Sequence, residues 1–440
     1  MKSRRAITLL TLVLLLSPSF QNPARAITNA DCQQSSSGVT LTAVASGSRC
    51  LITITAGSGS WISPVGALSI TALIVGGGGG GGAGGSRTGN NCSTTGSLGT
   101  RVGGGGGGGG GGQVKEVALN FNAGQSVSVA IGNGGTAGAP GSCGQAGSAG
   151  GAGGTTTLGV VTALGGGPGL GGTNRGEGGG GGYSYNSSGS TIAGGTITDA
   201  GDCPGTVTVG CMAGASGASP IAQGATPTAD GIATDGAVGS EGTTSTITSG
   251  IFGSGGGGGN RHTGTAPTNT GRTFGAGGTN AGAGSFIGYG LDATANFGGG
   301  GGGGRGNGYE AGNGSASTNA GYGGLGGSGV VVISYIPTFT FSVPQPSVSG
   351  NIYKGVTSSI SVTIPVTGVV RFFANNKRIA TCNSRVTSGN APNNVATCNW
   401  KPTVRGRVSI TATVTPTNSA YSSSTSEPLI ILVTTRTNTR

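Results

Sequence analysis

The sequence predicts an all-β protein, and three observations carry that prediction. Glycine supplies 103 of the 440 residues and is concentrated in uninterrupted runs that adjoin β-type segments. Threonine, serine, valine and isoleucine are plentiful, whereas long hydrophobic helices are absent after the N-terminus, and this bias is typical of strands. At Ile336 the composition changes, and short apolar segments then recur at the spacing of a β-sandwich. We therefore expect a glycine-rich β domain over residues 61–336 and a second β domain over residues 337–440.

Residues 1–26 have the three parts of a secretory signal peptide: a basic start, an apolar core over residues 7–16, and a small-x-small cleavage site at residues 24–26. The pattern predicts an exported protein, secreted or held at the cell surface. Removing the four basic residues of this segment lowers the formal net charge from +11 to +7. No later segment reaches the roughly 20 apolar residues of a membrane span, and no Lys/Arg run of nucleic-acid type exists. We expect neither a membrane span in the mature chain nor a nucleic-acid partner.

All eight cysteines follow the signal peptide, and an even number in an exported chain predicts disulfides. Full pairing is the firmer expectation, because connectivity does not follow from sequence alone. Proximity along the chain suggests four pairs: Cys32 with Cys50, Cys92 with Cys143, Cys203 with Cys211, and Cys382 with Cys398.

The glycine runs at residues 76–82, 103–112, 178–182, 255–259 and 298–304 have two interpretations. Glycine-rich tracts are usually disordered linkers, and composition alone favours that reading. Polyproline-II geometry offers an ordered alternative with three residues per turn, in which rods without Cβ atoms pack closely and bond through their backbones. The strand-like sequence joined to the runs favours ordered polyglycine-II rods.

The segments between the runs predict strands. Residues 27–60 form an expected β-hairpin region at the N-terminus. In residues 68–75, apolar residues occupy both odd and even positions and would therefore face both sides of a strand, which predicts a buried strand. Alternating apolar residues on either side of a turn at residues 122–124 predict a hairpin of two half-buried strands. Residues 330–333 are wholly apolar and predict the strand that closes the domain. Residues 183–253 have weak periodicity and are interpreted as a long insertion.

The order of strand-like segments and glycine runs over residues 61–82, 103–135, 155–167 and 323–335 resembles the glycine-rich domain of many exported bacterial proteins. The closing segment of that pattern, G-x-V-x-I-x-Y, is present at residues 329–335. The chain is also similar to the extracellular glycine-rich region of anaplastic-lymphoma-kinase-type receptors and to polyglycine-helix phage adhesins. The resemblance implies a jelly-roll-like β-sandwich that carries a bundle of polyglycine-II helices.

Short strands are predicted in the C-terminal domain at residues 360–364, 369–373, 395–400, 408–414 and 429–433. Together with the cysteine pair and the Trp400 that follows Cys398, this order of features resembles the bacterial Ig-like repeats of actinobacterial surface proteins. The resemblance implies an Ig-like β-sandwich in which Trp400 packs in the core.

No catalytic constellation is apparent. His262 is the only histidine and lies in a polar glycine loop, so we expect an exposed side chain. The cysteines lack C-x-x-C spacing, which argues against zinc. Acidic residues gather in the insertion without a calcium-loop spacing; they are Asp199, Asp202, Asp230, Asp235 and Glu241. We expect no enzyme, no cofactor and no metal site.

The expected function is that of an exported structural or adhesive protein of the bacterial cell surface or extracellular matrix. The alternative is a recognition module that binds a surface glycan or protein ligand through residues 183–297. An enzyme ranks third and an ice-binding protein fourth. The adhesive assignment follows from architecture, and architecture does not fix function.

Overall fold

A computed structural model of the chain describes residues 27–32, 35–64, 66–86, 103–142, 144–197, 213–227, 236–260, 275–285, 288–306, 320–389, 393–418 and 421–436. These residues fall into two compact units, Ile27–Thr338 and Phe339–Arg440. The division lies two residues beyond the composition break at Ile336. Both units are built from antiparallel strands, with single 3-10 turns at Asn29–Cys32 and Ala380–Cys382. The prediction of an all-β fold is confirmed.

The first unit is organised around one eight-stranded antiparallel sheet with the order β4-β3-β12-β2-β5-β6-β7, to which β1 adds by pairing with β2. Four two-residue strands form two small separate ladders, β8 with β9 and β10 with β11. The strands in chain order are β1 (Ser36–Ser46), β2 (Arg49–Ile62), β3 (Leu68–Val75), β4 (Val114–Ala118), β5 (Ser126–Ala130), β6 (Thr156–Leu158), β7 (Val161–Ala163), β8 (Ser184–Tyr185), β9 (Thr191–Ile192), β10 (Thr243–Thr244), β11 (Ile251–Phe252) and β12 (Val330–Ile336).

The N-terminal hairpin forms as predicted, from β1 and β2, and Cys32 and Cys50 are disulfide-bonded with their Cα atoms 5.3 Å apart. However, β2 is a central strand that pairs with both β12 and β5. Residues 27–60 therefore share one unit with the glycine-rich sequence and are not a separate region.

Strand β3 is buried on both faces, as its two-sided apolar pattern predicts. Ile70, Ala72 and Ile74 enter one core, which the curled sheet encloses together with residues of β2, β5, β6 and β12. Leu73 and Val75 enter a second core on the opposite face, against Val114, Phe252 and Val330. Since β3 and β12 both lead directly into or out of glycine tracts, burial of these strands anchors the tracts at the sheet.

The predicted hairpin around residues 122–124 is wrong. Strands β4 and β5 both exist, but β4 pairs with β3, whereas β5 pairs with β2 and β6. Leu119 and Phe121 lie on the connection and pack against the enclosed core. The connection therefore joins β4, at one end of the sheet order, to β5, with β3, β12 and β2 between them. Alternating apolar residues specify a half-buried strand but do not specify its partner.

The second unit is a sandwich of a three-stranded sheet, β13-β14-β18, and a six-stranded sheet in which β15 and β19 are central. Every strand predicted there is present, and Trp400, 6% exposed, packs in the core between the sheets. Cys382 and Cys398 form the predicted disulfide. The strands are β13 (Ser347–Val348), β14 (Ser358–Ile364), β15 (Gly368–Ala374), β16 (Lys377–Arg378), β17 (Arg385–Val386), β18 (Asn394–Trp400), β19 (Gly406–Pro416), β20 (Ser424–Thr425) and β21 (Leu429–Val433).

Several predictions fall outside the described residues. They concern the signal peptide at residues 1–26, the two remaining cysteine pairs, the lone histidine and four of the acidic residues; the residues are Cys92, Cys143, Cys203, Cys211, His262, Asp199, Asp202, Asp230 and Asp235. In the described part of the chain, no helix is long and apolar enough to cross a membrane.

Candidate functional site: the glycine-tract bundle and a pocket on its sheet

Residues 76–86 continue β3 as a buried tract with hydrogen bonds that repeat every three residues. The N–H groups of Gly76, Gly79, Gly82 and Gly85 donate to residues 104–113. The next set, beginning at Gly77, donates to residues 145–154, and the third set donates to residues 321–327. The N···O distances are 2.8–3.0 Å. A three-residue repeat is the repeat of a polyproline-II-type helix, which has no internal hydrogen bonds.

The carbonyl groups of the same tract accept hydrogen bonds from three further segments, residues 135–141, 166–172 and 301–304. Residues 76–86 thus have six neighbours, three reached through N–H groups and three through C=O groups. The tract interior leaves no backbone donor for water, so its burial is not penalised by unpaired polar groups.

Residues 103–113 and 298–306 have the same environment. The first donates to three segments and accepts from three others, and so does the second. These two tracts and residues 76–86, here called the central tracts, also bond to one another. They contain the three longest glycine runs of the sequence. A tract with six neighbouring segments leaves little room for side chains, which explains why glycine is uninterrupted in these runs.

Gly107 shows how little space the central tracts leave. Its N–H donates to the carbonyl of Leu170 at 2.9 Å. A Cβ atom placed on Gly107 would overlap the carbonyl group of Gly180, a backbone atom in a neighbouring tract. At Gly180 itself a Cβ atom would meet the Leu170 Cδ1 atom at 3.4 Å and the Gly195 carbonyl oxygen at 3.7 Å, both ordinary contacts.

Tracts on the outside of the bundle carry side chains at every third residue. Ala146, Ala149 and Ala152 are exposed at this spacing, and so are Tyr322 and Leu325. Pure glycine runs in the sequence do not reveal these positions. The repeat G-G-x, present in the sequence at residues 321–329, is the signal that identifies them.

One outer surface of the bundle exposes large apolar side chains. Residues 290–293 bond to residues 322–325, which places two tracts side by side. The Tyr289 and Tyr322 rings lie 5.3 Å apart and are 66% and 47% exposed. Leu291 and Leu325 on the same two tracts are 59% and 47% exposed. These four residues are called the aromatic ridge below. Exposed apolar patches of this kind are typical of interaction surfaces.

A pocket of about 360 Å³ lies on the face of the eight-stranded sheet that also carries the second core. Its floor is polar, with Thr71 of β3 and Ser334 of β12, and the connection between β10 and β11 supplies Thr246 and Ile247. Arg49 and Glu116 also line the pocket and bring opposite charges to it. Neither residue stands out in the sequence, because single charged residues on two separate strands, β2 and β4, do not form a recognisable motif.

Arg49 is tied to the sheet at a distorted position. Its Nε donates to the Ser334 hydroxyl at 2.6 Å, and its Nη2 donates to the carbonyl groups of Ser69 and Ser334 at 2.6 and 3.1 Å. Ser69 has a φ of 51°, and the pairing of β3 with β12 shifts register nearby. Among the described residues, none accepts a hydrogen bond from the Nη1 atom of Arg49, so that part of the guanidinium is available to a ligand.

Glu116 is held by the connection that covers the pocket. The Ser245 hydroxyl and the Thr246 N–H donate to Oε1 at 2.6 and 2.8 Å, and the Thr246 hydroxyl donates to Oε2 at 2.5 Å. Partial burial acts to raise the pKa of Glu116, but these hydrogen bonds favour the carboxylate more strongly, and its pKa lies below the ordinary value. Glu116 therefore anchors the pocket wall as an anion.

Glu241, the remaining acidic residue of the predicted insertion, accepts a hydrogen bond from the N–H of Thr279 at 2.9 Å. Within the described ranges, no group of three His, Cys, Asp or Glu residues is placed to hold a metal ion.

In comparisons with known proteins, no family model matches the chain, and no curated protein matches its sequence.

Proposed function

We propose that the protein is an exported, non-catalytic structural or adhesive protein of a bacterial cell surface or extracellular matrix, and that its glycine tracts are polyglycine-II helices. The observation that supports this role is the six-neighbour hydrogen bonding of the central tracts. A bundle fixed by backbone bonds on all sides is stiff, and its outer side chains are held at set positions.

The aromatic ridge is the part of the bundle that suits adhesion. Tyrosine buries a large amphipathic surface with only two side-chain torsions to fix, so it loses little entropy on contact. Tyr289 and Tyr322 stand on two adjoining tracts whose backbones bond directly. The ridge is therefore preorganised, which reduces the cost of binding.

The test is adhesion of the purified mature chain to bacterial cells and to polystyrene, together with fractionation of cells that express the full chain. We expect the protein outside the cytoplasm and expect Tyr289→Ser with Tyr322→Ser to reduce adhesion. Ile221→Ser is the control, since Ile221 is 64% exposed but lies outside the ridge. Retention in the cytoplasm, or equal loss in the control, would contradict the proposal.

A recognition module is the second candidate, and the pocket is the observation that favours it. A free Nη1 group beside Thr71 and Ser334 suits a small ligand with a carboxylate or several hydroxyl groups, such as a sugar acid. A glycan-binding screen with Arg49→Gln tests this role. Lys115→Gln is the matched control, because Lys115 lies on β4 but does not line the pocket. Binding of one defined glycan that is lost in Arg49→Gln and kept in Lys115→Gln would favour recognition over general adhesion.

A further inference from the structure

The two units differ sharply in charge. Residues 27–338 contain eight basic and ten acidic residues. Residues 339–440 contain ten basic residues and a single acidic residue, Glu427. Nine of the ten basic residues are described, and none of the nine forms an ion pair with a described residue. A strong excess of one sign, without internal partners, produces a positive potential that attracts anions.

The positive charge is concentrated on one sheet. Five of the nine basic residues lie in strands of the six-stranded sheet, at Arg371, Lys377, Arg378, Arg385 and Arg407. The strands of the three-stranded sheet, β13, β14 and β18, contain none. The two outer surfaces of one small sandwich therefore differ in charge, and only one suits an anionic partner.

Strand alternation places three arginines on the outer face of the six-stranded sheet. Val370 and Phe372 of β15 are buried, so Arg371 and Phe373 point away from the core. Arg371 lies opposite Thr413 of β19, and Arg378 lies opposite Phe373. Arg407 is six residues before Thr413 along β19, a separation of about 20 Å at the rise of a strand. The arginines thus form an extended row rather than a single cluster.

Hydroxyl and aliphatic groups accompany this row. Ser409, Thr411 and Thr413 of β19 lie on the same face, because the residues between them are buried. Ile430 and Leu432 of β21 are 55% and 62% exposed and pair with Ser409 and Arg407. Arg371, Phe373, Arg378, Arg407, Ile430 and Leu432 are called the basic face below.

We propose that the basic face binds a linear anionic polysaccharide that carries carboxylate groups along its length. Such a polymer offers all three chemistries of the face: carboxylates for guanidinium groups, hydroxyls for serine and threonine, and the apolar C–H surfaces of sugar rings for Ile430 and Leu432. A row of about 20 Å spans several sugar units. This inference rests on the second unit and is independent of the role proposed for the glycine tracts.

Nucleic acid fits the basic face less well. Single-stranded nucleic acid is bound on aromatic platforms that stack successive bases, and Phe373 is the only aromatic residue of the basic face. Duplex DNA is read by elements that enter a groove, whereas the basic face is formed by strands of one sheet. An anionic bilayer would be attracted by the charge alone but would not use the hydroxyl groups of Ser409, Thr411 and Thr413.

The experiment measures binding of the mature chain to polygalacturonate, a linear polymer with one carboxylate per sugar, with neutral dextran as the uncharged polymer. Arms with a 20-nucleotide single strand, a DNA duplex and phosphatidylglycerol vesicles test the other partners. We expect binding to polygalacturonate that weakens as salt rises and no binding to dextran. The triple variant Arg371→Gln, Arg378→Gln, Arg407→Gln should bind about tenfold more weakly or worse, since three exposed ion pairs are lost.

The matched control removes the same charge elsewhere: Lys354→Gln, Lys401→Gln, Arg436→Gln, all exposed and outside the strands of the six-stranded sheet. Binding within about threefold of wild type in this control would support the basic face. Equal weakening in both triple variants would show that net charge, not this face, is responsible. Tighter binding to nucleic acid or vesicles than to polygalacturonate, or no binding to polygalacturonate, would overturn the proposal.

Discussion

The glycine-rich unit and the C-terminal sandwich exclude water from their interiors with different parts of the chain. In the sandwich, side chains such as Ile360, Phe372 and Ile410 are fully buried between two sheets. Burial of apolar surface at about 25 cal/mol per Å² stabilises such a core. In the central tracts of the bundle there are almost no side chains to bury, and backbone groups fill the interior.

The glycine tracts gain less free energy per residue on folding than the sandwich core does. A backbone hydrogen bond contributes roughly 0.5–1.5 kcal/mol net, and fixing one residue costs roughly 1–2 kcal/mol in backbone entropy, with glycine at the upper end. Isolated glycine rods would therefore not be stable. The tracts depend on the strands to which they are joined, since β3, β4 and β12 bury Leu73, Val114 and Val330 next to the tract ends.

The largest effect is expected from Gly107→Val. Its new Cβ would meet the backbone of Gly180, and the tract has no flexible side chain that could move aside. Overpacking normally costs about 1–3 kcal/mol and sometimes more, and we expect a loss above this range, seen as loss of the cooperative melting of the glycine-rich unit.

Gly180→Val is the matched control in the neighbouring tract, because its Cβ meets the partly exposed Leu170 side chain and the Gly195 carbonyl oxygen at ordinary contact distances of 3.4 and 3.7 Å. We expect a change within about 1 kcal/mol. Hydrogen exchange in the wild-type chain is an independent measurement. Exchange at random-coil rates throughout residues 103–112, or melting of Gly107→Val at the wild-type temperature, would show that the tract is a flexible tether.

Phe372→Ala tests the other side of the comparison. The ring is fully buried in the sandwich core, and large-to-small changes of this kind cost roughly 3–5 kcal/mol. Calorimetry should show the loss in one transition, that of the second unit, with the transition of the glycine-rich unit unchanged. Equal shifts of both transitions would mean that the units unfold together.

Loss of a disulfide should have a slightly smaller effect. Cys382 and Cys398 close a loop with a sequence separation of 16, and Cys32 and Cys50 one of 18. Loops of this length gain about 3 kcal/mol from closure. The double variant Cys382→Ala, Cys398→Ala should therefore lower the midpoint of denaturant unfolding of the second unit.

The matching variant at Cys32 and Cys50 should affect the first unit alone. The full pairing of all eight cysteines stays a prediction for mass spectrometry of the non-reduced protein. Two or more free thiols would contradict it.

The sequence was sufficient to identify strands but not their partners. Apolar residues at both odd and even positions of residues 68–75 correctly predicted a buried strand, because burial acts directly on each residue. The partner of β4 was not predictable in the same way, since Val117 would pack equally well in a hairpin or in a crossover. Partner choice depends on the closure of the whole sheet.

The sites were less predictable than the fold. Arg49 and Glu116 are 67 residues apart in sequence and line one pocket only because β2, β12, β3 and β4 are neighbours. The charge of the second unit was visible as composition, but its restriction to one face requires the register of β15 and β19. The positions of Tyr322 and Leu325 can be recognised from the sequence once a three-residue period is assumed.

The smallest effect concerns Glu116, which links the sheet to the connection over the pocket. Its pKa is below the ordinary value of 4.5 because of hydrogen bonds from Ser245 and Thr246, which outweigh burial. A depressed folded pKa means that the carboxylate stabilises the fold above the unfolded pKa, and that this stabilisation is lost as pH falls through the folded value. The melting temperature of the glycine-rich unit should thus decline below about pH 4.5 in the wild type and decline less in Glu116→Gln. Glu427→Gln, which removes a carboxylate from the other unit, should leave that decline unchanged. A wild-type acid decline that persists in full in Glu116→Gln would show that the hydrogen bonds around this carboxylate do not couple pH to the stability of the sheet.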